Sequence, residues 1–354
     1  MYVNIEVMGI EGKEFTSMIT YKTIDLFAGI GGIRLGFELT NRTENVLSVE
    51  MDKYACQTYE ANFGDNPYGD VTKIKEEELE DFDILLAGFP CQAFSIAGRR
   101  LGFEDTRGTL FFDVARIIKY KRPKAFLLEN VKGLVNHKGG KTLETILHVL
   151  ENELNYKVFV KVLNAKDYGL PQNRERIYIV GFDHQEIDFQ FPTYNGPSNV
   201  LRDILEEHEV SSKYYLSDTY LETLKAHRKR HESKGNGFGY QILDYDGISN
   251  AIVVGGMGRE RNLIIDERLT DFTPKTKIKG EINKEFVRSL TPREWARLQG
   301  FPDTFVIPVS DTQAYKQFGN SVAVNVINHL AKEMITVLDK MEEKECRLKP
   351  VLAI

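Results

Sequence analysis

The sequence predicts an open α/β fold: a mostly parallel sheet with helices on both faces, an antiparallel strand pair at one edge, and a smaller inserted domain. Three observations carry this. Short β-branched or apolar runs alternate with helical patterns through the first half. The last two such runs stand too close together for a crossover helix. The pattern breaks after Phe191-Pro192 and resumes near residue 291.

Strand-like runs lie at residues 23–27, 46–50, 83–88, 125–130, 157–163 and 176–182, each short and bounded by turn residues. Helical spacing occupies residues 33–39, 53–62, 110–120 and 142–154 between them. Crossover helices return the chain to the same edge and make neighbouring strands parallel. Between 163 and 176 stand only about a dozen residues, including Tyr168-Gly169-Leu170-Pro171, which predicts an antiparallel pair. Residues 197–290 are rich in Gly, Lys, Arg and Asn and only weakly periodic. Thr291 as N-cap with Pro292 at the first helical position then opens a short helix. A final amphipathic helix spans about 322–340, with Val326, Ile327, Leu330 and Met334 on one face. This gives a catalytic domain over 1–192 that returns over 291–345, an inserted domain over 193–290, and a tail over 346–354.

The 354 residues suffice for one large and one smaller domain. Three cysteines (Cys56, Cys91 and Cys346) form no disulfide framework. No run of about 18 apolar residues occurs, and the start lacks a basic-then-apolar leader. These features predict a cytoplasmic protein, neither secreted nor membrane-inserted, and no metal is expected. The net charge of −6 is unusual for a protein that binds phosphates. Residues 213–293, however, carry 15 Lys/Arg against 11 Asp/Glu, so a nucleic-acid face can reside there.

Asp25-Leu26-Phe27-Ala28-Gly29-Ile30-Gly31-Gly32 falls at the first strand-to-helix turn, where Gly29, Gly31 and Gly32 let a ligand approach the backbone. Glu50, 21 residues beyond Gly29, ends the second strand, where an acid can accept from ribose hydroxyls. Asp70 can reach an adenine amino group. A nucleoside-bearing cofactor follows, with NAD still open on these residues alone. Gly88-Phe89-Pro90-Cys91-Gln92 places a thiol at the same sheet edge, and a thiolate can add to an electron-poor ring. Glu129 ends an apolar strand, where burial would raise its pKa. Arg174 and Arg176 alternate, so one reaches the crevice while the other pairs structurally.

In this order Phe27-Ala28-Gly29-Ile30-Gly31-Gly32, Gly88-Phe89-Pro90-Cys91-Gln92, Glu129-Asn130-Val131 and Gln172-Asn173-Arg174-Glu175-Arg176 resemble the blocks of the cytosine-5 DNA methyltransferases. Arg293-Glu294-Trp295-Ala296-Arg297-Leu298-Gln299-Gly300-Phe301-Pro302 and Gln317-Phe318-Gly319-Asn320-Ser321-Val322 complete the set, so the resemblance runs from about residue 20 to 330. Residues 231–240 and 255–262 are most similar to the HpaII-type bacterial modification enzymes, which act on CCGG. The resemblance implies a Rossmann-like methyltransferase sheet with a target-recognition domain, and S-adenosylmethionine as cofactor. It implies that Cys91 attacks cytosine C6, Glu129 contacts N3 and the amine, and Arg174 holds the base or its phosphate. Gln92 belongs to a loop closing over the flipped base. The cofactor pocket would use Phe27, Gly29, Glu50, Asp70 and Asn320. Met51 stands where the family commonly has an aromatic, which predicts weaker cofactor binding.

Arg259 and Arg261, in a Gly-rich segment, are the expected guanine readers. Lys225, Arg228 and Lys229 are expected on phosphates. Double-stranded DNA is the expected partner of a monomer, with a cognate endonuclease as a separate protein. Two other readings stand beside this one: a tRNA cytosine-5 methyltransferase, and an inactive DNA-binding relative.

Overall fold

The computed structural model describes residues 19–90, 110–237, 239–255, 257–273 and 280–348. Its strands begin with β1 (Tyr21–Leu26), β2 (Thr43–Val49), β3 (Ile84–Gly88), β4 (Ala125–Val131), β5 (Lys157–Asn164), β6 (Gln172–Asn173) and β7 (Glu175–Phe182). Six of them form one sheet in the order β2-β1-β3-β4-β7-β5. β1 to β4 run parallel, whereas β7 lies antiparallel to both β4 and β5. The expected antiparallel pair is therefore present, and the returning strand slips between its neighbours. The short turn Ala165–Tyr168, ended by Gly169 at φ 80°, permits that reversal without a crossover helix.

Both faces of the sheet are covered. Ile84 and Leu86 face a core shared with Ile33 and Phe37 and with Ile327, Leu330 and Met334. Leu85 and Ala87 face the other, with Val114, Ile117, Ile118 and Ile146. This two-residue alternation explains why the strands read as nearly continuous apolar runs. The helices are α1 (Gly32–Glu38), α2 (Lys53–Phe63), α3 (Leu110–Lys121), α4 (Lys141–His148), α5 (Asp218–Glu232), α6 (Pro292–Leu298), α7 (Asp311–Asn320) and α8 (Val324–Leu348). The single helix expected over 142–154 closes instead with a wider π turn, Val149–Glu153. α8 packs so tightly on α1 that a Cβ on Gly36 would lie 2.5 Å from Ile327 Cγ2. Burial of Ile327, Leu330 and Met334 stabilises that contact by roughly 1.5–3 kcal/mol each.

The segment 193–290, expected as a separate domain, holds α5, β8 (Ser249–Asn250), β9 (Leu263–Ile265) and β10 (Val287–Ser289) around small apolar clusters, while its Leu201, Ile204, Leu243, Ile252 and Ile264 share a larger core with Trp295, Phe301 and Phe318. Its weak periodicity follows, because few residues per element are buried. β8 pairs in parallel with β6, and so ties the insert to the main sheet's loops. α6 starts as expected: Thr291 Oγ1 accepts from Glu294 N, while Glu294 accepts from Thr291 N. Glu294 also receives the guanidinium of Arg288 at 2.7 Å, and Arg288 donates to Asp266 at 2.8 Å. All three side chains are almost fully buried. Burial alone would raise the Asp266 carboxyl; Arg268 and Arg288 instead hold it well below the usual carboxylate range.

Candidate active site

A cleft of about 520 Å³ opens at the carboxyl ends of β1 to β4, where open α/β sheets bind their ligands. β1 ends early because Phe27 adopts φ 58°, a left-handed conformation costing about 1–3 kcal/mol in a non-glycine residue. Gly29 follows at φ 57°; a Cβ there would meet nothing within 4 Å. Both residues line the cleft. Gly31 does not. It caps α1, and a Cβ on it would lie 2.2 Å from the Phe63 ring, so its glycine serves internal packing rather than the cleft wall.

Glu50 directs its carboxylate into the turn: Oε2 accepts from Gly29 N at 2.8 Å and Oε1 from Asp52 N at 2.7 Å. Its main chain exchanges bonds with Pro67 and Gly69, which brings Asp70 to the same wall. Asp70 accepts from Thr72 N and Thr72 Oγ1, bonds that lower its pKa. Met51 stands at the mouth, 64% exposed, and Asn320 completes the rim from α7. Sequence reasoning missed Lys316, whose Nζ reaches Asp52 Oδ2 at 2.6 Å and braces α7 against the start of α2.

Across the cleft, β4 and β7 supply the charged groups. Glu129 pairs in register with Tyr178 and Val131 with Arg176, so Glu129 and Arg176 are diagonal neighbours on one face. Glu129 Oε1 lies 3.2 Å from Arg176 Nε, and both side chains are less than 15% exposed. Burial raises the Glu129 pKa, against the pull of Arg176 and Arg174. Asn130 donates from Nδ2 to Phe89 O at 2.8 Å, clamping the end of β3 onto β4. Phe89 and Pro90 belong to the wall. Cys91 and Gln92, the next residues, lie outside the described residues.

Arg174 corrects the expectation that it holds the base. It is 2% exposed, and its guanidinium donates to the carbonyls of Ile252, Gly319 and Ser321 at 2.7, 3.1 and 2.5 Å. Arg176 is the arginine of the cleft; Arg174 is the structural one. On the insert, Arg259 and Arg261 are exposed. The guanidinium of Arg259 lies 5.1 Å from the centre of the Tyr315 ring. Lys225 is paired with Glu222 and Glu285, and Arg228 with Glu232, so acids already neutralise two of the cations expected on phosphates. Lys229 remains exposed on α5.

Beneath the glycine turn, Asp25 is fully buried, and neither carboxyl oxygen has a side-chain partner among the described residues. Burial pushes its pKa up to about 7, against the Arg34 main chain and guanidinium. A raised pKa in the fold means that stability present below the unfolded value, near 3.8, is lost as pH rises through 7. The loss amounts to roughly 4 kcal/mol. Asp25→Asn is expected to flatten the fall in Tm between pH 5 and 8; an unchanged slope would show that Asp25 keeps an ordinary pKa.

A sheet of this topology, with a glycine turn facing an acid at the next strand end, defines a Rossmann-like methyltransferase. The model of the family "C-5 cytosine-specific DNA methylase" matches residues 21–336, and the chain belongs to that family. It is 60% identical over 324 residues to the type II methyltransferase M.HpaII of Haemophilus parainfluenzae, covering 90% of each chain. It is 51% identical to M1.ScrFI of Lactococcus lactis subsp. cremoris, covering 91% of this chain and 80% of that one. Among solved structures, Dnmt2 of S. pombe superimposes with a TM-score of 0.69 at 19% identity, over 91% of this chain and 99% of that one. A mutant DNMT2 of Spodoptera frugiperda gives 0.68 at 22% identity, over 89% and 99%. These two likenesses concern the fold alone. The protein is thus a DNA (cytosine-5) methyltransferase that takes its methyl group from S-adenosylmethionine and acts on double-stranded DNA. Neither the tRNA reading nor the inactive reading stands. No helix among the described residues is long and apolar enough to cross a membrane.

Proposed function

We propose that this methyltransferase modifies the inner cytosine of double-stranded CCGG, with Cys91 as nucleophile and Glu129 and Arg176 holding the target ring. The Glu129–Arg176 pair, buried in the cleft beside Pro90, is the observation that carries the site. The 60% identity to M.HpaII supports the target.

A cytosine stacked in a duplex is out of reach of a thiol, so the base leaves the helix at a cost of a few kcal/mol. The Cys91 thiolate adds to C6, forming the S–C6 bond and sending the electron pair towards C5. Glu129 keeps a proton to higher pH than an ordinary glutamate, and so can bond N3 as the ring takes up charge. Arg176 orients that carboxyl and takes the base-holding role expected of Arg174. By the family resemblance alone, Gln92 is assigned to contact with the flipped base. S-adenosylmethionine, when bound, supplies an electrophilic methyl group to C5. Solvent water takes the C5 proton, the C–H electron pair re-forms C5=C6, and S–C6 breaks to free the Cys91 thiolate, while N3 returns its proton to Glu129.

The residues present fit that cofactor: the backbone is open at Gly29, and Glu50 stands where ribose hydroxyls can donate to it. Phe27, Asp70 and Asn320 would complete the pocket, with Met51 covering adenine. Met51→Trp adds an aromatic face and is expected to tighten S-adenosylhomocysteine binding roughly three- to tenfold by calorimetry; no change would place adenine elsewhere. The enzyme acts as a cytoplasmic monomer, and a cognate endonuclease recognises the same site as a separate protein.

Arg259 and Arg261 are the proposed readers of the guanines. Alanine at either is expected to cost about 1–3 kcal/mol and relax sequence preference, whereas Lys229→Ala weakens binding evenly and lowers its salt dependence. Equal losses on every DNA sequence would make both arginines phosphate contacts. Bisulfite sequencing of plasmid treated with enzyme and S-adenosylmethionine tests the target. Protection confined to the inner cytosine of CCGG is expected; protection at another motif would overturn the target and leave the enzyme class.

A further inference from the structure

Two adjacent valines stand exposed on the segment that carries the proposed guanine readers. Val253 and Val254 are 44% and 46% exposed, between β8 and the exposed Arg259 and Arg261. Ile252, just before them, is fully buried, and both its main-chain groups are tied down. Gln172 Oε1 accepts from Ile252 N at 3.1 Å, and Arg174 donates to Ile252 O at 2.7 Å. The valines therefore start from a fixed point.

Glycines seat both side chains. A Cβ on Gly258 would lie 2.9 Å from Val253 Cγ2 and 2.4 Å from Val253 O, and a Cβ on Gly319 would lie 2.9 Å from Val254 Cγ2. One methyl group of each valine is thus pressed against a glycine, and stiffness at χ1 fixes the rest of the side chain. The arginines sit on an equally defined turn. Asn262, 1% exposed, donates from Nδ2 to Gly258 O at 3.0 Å, and Arg261 N donates to Met257 O at 3.0 Å. The Val253–Gly258 contact joins the two, so aliphatic carbon and guanidinium groups are presented by one preformed element.

Arginine suits guanine O6 and N7, and an exposed aliphatic side chain suits a methyl group in the major groove. An unmodified CCGG site shows no such methyl group, but the product of the reaction does. CCGG is a palindrome, so the inner cytosine of the complementary strand pairs with the guanine next to the target cytosine. Once that strand is methylated, one base pair offers guanine O6 and N7 together with a C5 methyl group.

We propose that Val253 and Val254 recognise the 5-methyl group of the complementary strand, so that the enzyme prefers CCGG sites already methylated on one strand. The inference rests on the proposed reading of CCGG by Arg259 and Arg261. Burying one methyl group against aliphatic carbon corresponds to about a fourfold gain in affinity.

The test compares Kd values of labelled duplexes for the whole chain at saturating S-adenosylhomocysteine. A duplex methylated on the inner cytosine of one strand is expected to bind about fourfold tighter than the unmodified duplex. Methyl transfer to its other strand should show the same gain in kcat/KM. Methylation of the outer cytosine instead, one base pair further from the target, is expected to change Kd by less than about twofold. Val253→Thr combined with Val254→Thr keeps the branched shape but places a hydroxyl on each side chain, and should bring the ratio for the inner methyl group below about twofold. Should that variant fail to fold, Val253→Ala and Val254→Ala, tested singly, are read the same way. A wild-type ratio of one or below would overturn methyl recognition and leave the CCGG target standing. An unchanged ratio in the variants would overturn the assignment to the valines. A chain that binds CCGG no tighter than an unrelated duplex would overturn the reading by the arginines, and this inference with it.

Discussion

Cys91→Ser is expected to reduce methyl transfer to DNA below detection while cofactor and duplex still bind. A serine hydroxyl ionises far less readily than a thiol, so no comparable anion is present to add to C6, yet the side chain is nearly the same size. Cys56 cannot substitute. It is 3% exposed, its Sγ bonds Glu50 O at 3.4 Å, and burial together with the nearby Glu50 charge pushes its pKa up to about 11. Radiolabelled methyl transfer to a CCGG duplex measures the effect. More than a trace of activity in the serine variant would make Cys91 structural.

Arg288→Met should destabilise the protein by about 3–5 kcal/mol, because it strands the buried carboxylate of Glu294 and takes one of two arginines from Asp266. Asp266 would keep Arg268, but Glu294 would lose its bidentate partner at the start of α6. Since Glu294 also caps α6 and accepts from Glu206 N, the loss falls where the start of α6 meets residues 206 and 288. Urea denaturation of the two proteins provides the measurement. A loss of under about 1 kcal/mol would show that the ion pair contributes little net stability. Arg288→Lys should recover only part, since an ammonium cannot make the forked contact with both acids.

The sheet was legible because its strands alternate between two buried faces, leaving unbroken apolar runs such as Ala125 to Leu128 between turn residues. Glu50 was legible from its spacing to Gly29, and the structure joins the two at 2.8 Å. Strand alternation placed Arg174 and Arg176 on opposite faces but could not say which face was the cleft. That depended on carbonyls at 252, 319 and 321, all far away in sequence. Gly31 looked like a ligand-facing glycine because nothing local announces the Phe63 ring against it.

α7 passed unrecognised as a helix. Ala314, Tyr315, Gln317 and Phe318 are buried at helical spacing, but the segment is short and half polar, and its end reads as a motif. On α5, the Arg228–Glu232 pair has ordinary i,i+4 spacing and was open to sequence reasoning. The Lys225–Glu285 pair, 60 residues apart, was not.

The most direct test of methyl transfer through Cys91 uses a CCGG duplex whose target cytosine carries fluorine at C5. After Cys91 has added to C6 and the methyl group has reached C5, no proton remains at C5 to leave, so the S–C6 bond cannot break by the normal route. Denaturing electrophoresis and peptide mass mapping are expected to show a covalent complex, formed only with S-adenosylmethionine, whose DNA-bearing peptide contains Cys91. A complex mapped to another residue, or methylation of ordinary CCGG duplex with no complex on the fluorinated one, would contradict the mechanism.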